Sequence, residues 1–279
     1  MRGMADTATF GWPFMKMHGA GNDFVVIDGR GTSIELNEPL VRALADRHRG
    51  VGFDQLALIT DGTDLTITFY NADGSQSAAC GNATRCIAAR EMALRDRDTL
   101  SIDVTGRGTL QAVRNADGVA AVNMGQPDLD WQNIPLAHKV DTLALPIDGA
   151  PVATGMGNPH CTFFVDEVSA IDLAAVGPRI EHHQLYPERT NVQFAQVIGP
   201  DHIRMRVWER GTGITLASGS SSCATAVAAA RKGLTGRAVQ IDLDGGTLHI
   251  DWRADGVWMS GPTAHVFDGT LTAEFLNSL

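Results

Sequence analysis

The chain has 279 residues, 44% hydrophobic and 19% charged, a balance that excludes collagen-like, coiled-coil and wholly disordered chains. Twenty-two Lys and Arg against 32 Asp and Glu leave a net charge of −10. No basic run offsets it, so a nucleic-acid partner is not expected. The length predicts two domains or one large one, and no apolar run is long enough to cross a bilayer. The four cysteines, Cys80, Cys86, Cys161 and Cys223, are scattered and include no CxxC pair, which predicts reduced thiols in a cytoplasmic protein rather than a disulfide framework.

Residues 1–15 lack the charged and then apolar pattern of a secretory signal and read as an extension, with Met4 and Met15 as alternative starts. From there the chain repeats itself. Gly19-Ala20-Gly21-Asn22 returns 136 residues later as Gly155-Met156-Gly157-Asn158, and Val25–Asp28 returns as Phe163–Asp166 at an offset of 138. Leu65–Tyr70, alternating as a half-buried strand should, matches Ile203–Trp208. Asn71–Gly74 is a turn by composition. Ala79-Cys80-Gly81-Asn82 matches Ala217-Ser218-Gly219-Ser220. A helix is predicted over Asn82–Arg95, capped by Asn82, with Ala83, Cys86, Ile87, Ala93 and Leu94 on one face. Its counterpart is predicted from about Ser221 to Lys232, ended by Gly233. Hairpins are expected at Gly106–Gly108 and Asp244–Gly246. Each half thus reads as strands around a single good helix. The order and near-constant offset of the matches point to one unit used twice.

A duplicated enzyme tends to place its chemistry between the copies, so the two helix starts are the first suspects. Helix N-termini offer unpaired N–H groups and partial positive charge, which hold carboxylates and lower the pKa of a nearby thiol. Cys80 and Ser218 stand at those starts. Cys86 and Cys223 fall inside the helices and read as small buried hydrophobes. Amides gather at the turns: Asn22, Gln55, Asn71, Asn82, Asn158 and Asn191. Asn22 pairs with Asn158, and Gln55 with Asn191, at an offset of 136, while Asn71 pairs with Glu209 at 138. Such a set suits a polar, zwitterionic small molecule, for which Glu209 and Arg210 would take an ammonium and a carboxylate. His182-His183 has no metal-site spacing, and there is no dinucleotide or Walker loop, so no cofactor or metal is expected.

Lys16–Phe24, Asn71–Ser75 with Cys80-Gly81-Asn82, Gly157–His160, Arg189–Val192 and Glu209–Gly213 together resemble the diaminopimelate epimerase family, from residue 16 to about 270. The resemblance implies an isomerase that works without pyridoxal phosphate and interconverts LL- and meso-diaminopimelate for lysine and peptidoglycan synthesis, commonly as a homodimer. It implies an α/β (α+β) fold of two pseudo-symmetric domains, each a curved, mostly antiparallel sheet around a central helix, over 1–127 with 266–279 and over 128–265. By resemblance Cys80 is one of two acid–base groups, His160 and Glu209 support them, and Asn22, Gln55, Asn71, Gly81, Asn82, Asn158, Asn191, Glu209, Arg210, Gly219 and Ser220 contact substrate. The departure is Ser218, where the family has its second cysteine. A hydroxyl is a far weaker acid than a thiol, so impaired activity is expected, whether the serine is engineered or natural. Two alternatives stay open: a racemase or one-sided lyase on another amino acid, and a non-catalytic amino-acid-binding protein.

Overall fold

The computed structural model describes residues 11–77 and 80–278. Residues 1–10 of the extension and Ala79 of the repeat lie outside them. The chain divides into two compact units, one of residues 1–19, 23–115 and 263–279, the other of residues 20–22 and 116–262. Both are mixed α/β and dominated by strands.

The first unit begins with β1 (Trp12–Gly19), β2 (Asn22–Asp28), α1 (Glu38–Ala45), β3 (Gln55–Thr60), β4 (Leu65–Asn71), β5 (Gln76–Ser77), α2 (Gly81–Leu94), β6 (Thr99–Val104) and β7 (Gly108–Arg114). The second holds β8 (Ala120–Asn123), β9 (Val152–Gly155), β10 (Pro159–Phe164), α3 (Leu173–Glu181), β11 (Asn191–Gly199), β12 (His202–Glu209), β13 (Gly213–Thr215), α4 (Gly219–Arg231), β14 (Ala238–Leu243), β15 (Gly246–Arg253) and β16 (Gly256–Ser260). The chain then returns to the first unit as β17 (Ala264–Leu271) and α5 (Ala273–Asn277).

The duplication read from sequence reappears in the strand pairing. In the first unit β2 lies parallel to β3, β3 and β5 antiparallel to β4, β6 parallel to β4, and β7 antiparallel to β6. In the second, β10 lies parallel to β11, β11 and β13 antiparallel to β12, β14 parallel to β12, and β15 antiparallel to β14. The predicted hairpins close with Val104 opposite Gly108 and Leu243 opposite Gly246.

Each long helix is buried against its own sheet, α2 on β1, β6 and β7, α4 on β9, β10, β11, β14, β15 and β16. Small residues allow it: Ala224, Ala226, Ala228 and Ala229 of α4 are all buried, so strands approach the helix closely from several sides. Both helices stop alike. Gly233, in the left-handed region at φ +69, donates to Ala230 O at 3.1 Å while Leu234 donates to Ala229 O at 3.0 Å. In α2 Asp96 takes this place at φ +50, with Arg97 N on Met92 O at 3.0 Å, a conformation short polar side chains tolerate best after glycine.

Four expectations are corrected. Asn82 is not the cap of α2. The helix starts one residue earlier, Cys80 is the cap residue, and Asn82 sits inside the first turn. Ala93 and Leu94 are exposed, because α2 emerges from the sheet in its last turn. The single helix per half overlooked α1, capped by Asn37 Oδ1 on Leu40 N with Pro39 in the first turn, and α3, capped by Asp172. These helices also pack on their own sheets. Leu40, Val41 and Leu44 pack on Val25, Ile27, Leu56 and Leu58, and Leu173 joins Phe163, Val192 and Phe194. Finally, residues 12–15 are not an extension but half of β1, paired from Trp12 with Leu271. β8 pairs antiparallel with β16, Trp258 lying opposite Asn123, which groups residues 120–123 with the second unit.

Candidate functional site

The repeat fixes where polar residues stand. In the first unit Gln55 opens β3 and Asn71 closes β4 directly opposite, so both lie at one end of the sheet. Gln55 Nε2 donates to Asn71 Oδ1 at 3.2 Å, and Asn71 Nδ2 donates to Ser75 Oγ at 3.1 Å. Asn22 opens β2 and is buried. After β5 the chain enters α2 through Cys80, whose carbonyl accepts both the backbone N–H and the hydroxyl of Thr84, each at 2.9 Å. The Cys80 side chain makes no capping bond. Gly81 and the buried Asn82 follow. Arg85 Nη1 donates to Asn82 Oδ1 at 2.9 Å, which sets the amide's orientation. Gly19 makes room for this pair, since a Cβ there would lie 2.8 Å from Arg85 Nη2 and 3.2 Å from Asn82 Cβ.

The second unit repeats the helix start. Ser218 caps α4, its carbonyl accepting from Ser222 N at 3.1 Å and from Ser222 Oγ at 2.8 Å, and Gly219 and Ser220 form the first turn. The first N–H groups of α2 and α4 have no acceptor within their own helices. The Ser218 hydroxyl does have one, Glu209 Oε2 at 2.7 Å. Glu209 closes β12, and its other oxygen accepts from Thr215 Oγ1 at 2.6 Å. The proximity of Glu209 and Ser218 follows from β13 turning back antiparallel along β12 before α4 begins.

Asn158 precedes β10, and Asn191 opens the parallel β11. Asn191 is held at both ends of its amide, Nδ2 donating to Pro159 O at 3.0 Å and Oδ1 accepting from Arg210 N at 3.0 Å. The exposed Arg210 side chain touches Glu188 O at 3.1 Å and makes no ion pair among the described residues. Its charge therefore remains available to an anion. His160 is wholly buried between Asn158 Oδ1, 2.8 Å from Nε2, and Gln193 Nε2, 3.0 Å from Nδ1. Burial, reinforced by the charge of Arg210, depresses its pKa to about 3, so the ring is neutral at physiological pH. A neutral, doubly bonded imidazole orients neighbours and does not carry a charge of its own.

The structure thus joins Gln55 with Asn71, Asn158 with His160, Asn191 with the Arg210 backbone, and Glu209 with Ser218. Three participants escape the sequence reading, which follows amides in turns: Thr215 closes β13, Gln193 lies within β11 and Arg85 within α2. Glu209 accepts one hydroxyl on each carboxylate oxygen, from Thr215 and from Ser218. Among the described residues no cluster of three or more His, Cys, Asp or Glu could hold a metal, and no helix is long and apolar enough to cross a membrane.

Comparison with known proteins adds an independent line. The diaminopimelate epimerase family model matches residues 14–129 and 152–266. The chain is 52% identical to a diaminopimelate epimerase of Rhodospirillum centenum, covering 94% of this chain and 93% of that one. It is 50% identical to one of Acidiphilium cryptum, covering 95% and 98%. Among solved structures, one from Pseudomonas aeruginosa described as a predicted epimerase shares the fold with a TM-score of 0.68 at 16% identity, over 93% of this chain and 99% of that one.

Proposed function

Because the chain belongs to the diaminopimelate epimerase family, we propose that it interconverts LL- and meso-diaminopimelate by moving the α-proton. The observation that carries this reading is the pair of matched helix starts, Cys80 on α2 and Ser218 on α4. Inversion at carbon requires one group to take the proton from one face and another to return a proton to the other. We assign these roles to Cys80 and Ser218. The N–H groups of Gly81, Asn82, Gly219 and Ser220 are assigned to the α-carboxylate, where they hold the substrate and stabilise carbanionic charge. Asn22, Gln55, Asn71, Asn158, Asn191 and Arg210 take the remaining polar groups of the substrate. Proton transfer of this kind needs neither pyridoxal phosphate nor a metal. A cytoplasmic homodimer supplying lysine and peptidoglycan synthesis completes the proposal.

Ser218 supports a second reading, in which the hydroxyl serves a one-sided reaction or simple binding of an amino acid. The deciding experiment places the protein in deuterium oxide with LL- or meso-diaminopimelate and follows the α-proton signal and the isomer ratio. Exchange with interconversion supports the epimerase. Exchange without interconversion supports the one-sided reaction. Tight calorimetric binding with no exchange sinks both catalytic readings.

A further inference from the structure

Gln193 enters none of the assignments above, yet it is wholly buried and all its hydrogen-bonding groups are engaged. It sits on β11 opposite Thr162 of β10. Its Oε1 accepts from Thr162 Oγ1 at 3.1 Å, and its Nε2 reaches both Ser221 Oγ, in the first turn of α4, at 2.9 Å and His160 Nδ1 at 3.0 Å. With the amide placed so that Nε2 faces the ring, Gln193 donates and His160 Nδ1 accepts. The proton of the neutral ring then lies on Nε2, where it is donated to Asn158 Oδ1 at 2.8 Å. Four side chains form one chain of donors running Thr162, Gln193, His160, Asn158, each link polarised in the same sense. It ends at the Asn158 amide, whose oxygen is taken and whose Nδ2 has no partner among the described residues.

We propose that Gln193 is a positioning residue: through the Nε2–H tautomer of His160 it turns the Asn158 amide so that N–H, and not C=O, meets a substrate carboxylate. The inference rests on the reading of Asn158 as a substrate contact. The sense of the chain matters because the reversed chain is also geometrically possible. With Nδ1–H on His160 the Asn158 amide would turn over and set its oxygen against an anionic ligand. Gln193 holds the unfavourable arrangement off from a position that touches no ligand.

The test uses two readouts on the full chain. Nitrogen-15 spectra of the His160 ring, taken without substrate, are expected to show the proton on Nε2 in the parent. They are expected to show Nδ1–H, alone or mixed, in Gln193→Met, which keeps the side-chain length and removes the donor. The KM for diaminopimelate should rise about tenfold in that variant, the worth of one hydrogen bond to a charged group, with kcat changed far less. In a His160→Gln background, where an amide N–H replaces Nε2–H, adding Gln193→Met should raise KM no further.

A parent spectrum with the proton on Nδ1 overturns the proposal even if no variant folds. So does an unchanged tautomer in Gln193→Met, or a shifted tautomer with parental KM. A parent that neither binds nor turns over diaminopimelate defeats the functional reading instead, and the substrate-free spectra still decide whether Gln193 sets the tautomer.

Discussion

Replacing Ser218 with cysteine should raise epimerisation, and the structure bounds by how much. An unassisted serine alkoxide is about as strong a base as hydroxide, so its formation at pH 7 costs roughly 12 kcal/mol. A thiol near 8.5 costs about 2 kcal/mol. The gap of roughly 10 kcal/mol is a ceiling, because Ser218 need not ionise alone. Glu209 Oε2 accepts its hydroxyl at 2.7 Å and can take that proton as Ser218 takes the substrate's. A positioned acid–base group contributes about 100- to 10,000-fold. With Glu209 offsetting part of the deficit, Ser218→Cys is expected to raise kcat about 100-fold, at the lower end of that range. The assay is α-proton loss and isomer ratio in deuterium oxide, by NMR, on both proteins. Glu209→Gln should then suppress exchange more in the serine parent than in Ser218→Cys, since the hydroxyl depends on the carboxylate more than the thiol does. No gain in Ser218→Cys with diaminopimelate would refute the two-group reasoning.

Cys80→Ala should abolish α-proton exchange, and exchange at the parental rate removes Cys80 from the mechanism. Glu91→Ala should destabilise the fold by about 3 kcal/mol, at the low end for breaking a buried ion pair, measured by urea unfolding. The 2% exposed carboxylate binds Arg30 at 2.8 Å, Arg90 at 2.7 Å and Arg95 at 3.0 Å, while those arginines keep partial solvent contact. Burial alone would raise the Glu91 pKa, but Arg30, Arg95 and Arg90 outweigh it and hold it below the ordinary value. Its stabilisation is therefore full above its unfolded pKa of about 4.3 and is lost as pH falls through the lower folded value, so parent and variant should converge there. His160, neutral when folded down to about pH 3, takes up a proton on unfolding below its ordinary 6.5, so it withdraws stability as pH falls between those values. The full effect approaches 4–5 kcal/mol at about pH 3. His160→Gln should flatten the pH dependence of unfolding over that window, and an unaltered curve contradicts the buried neutral ring.

Much of this is legible in the sequence itself. The turn and helix-start motifs are local and repeated, so Cys80, Ser218, Asn71 and Glu209 could be placed at strand and helix ends from spacing alone. The apolar alternation of Leu65–Tyr70 marked β4 in the same way. Gln193 was hidden because β11 is buried on both faces from Asn191 to Ala195. With no alternation between an inner and an outer face, a glutamine in that run gives no sign of where its amide goes. Helix α1 carried the signal Asn37-Glu38-Pro39, a cap followed by an early proline, but its eight residues are short for a periodicity search. Asn82 was mistaken for a cap because its residue type fits that role, whereas the neighbouring Arg85, buried under Gly19, is what claims its oxygen.

The pairing of β1 with β17 also sets an order of assembly. Trp12 to His18 find their partners in Leu271 to Ala264, about as far apart as two segments of this chain can be. The other unit is nearly contiguous, from 116 to 262. On a ribosome that stretch can complete its sheet while β1 still waits for a strand that has not been made. Of the two units, the one begun first is finished last. Until residues 264–271 emerge, β1 offers one unpaired edge, the feature that a nascent chain most needs to have shielded.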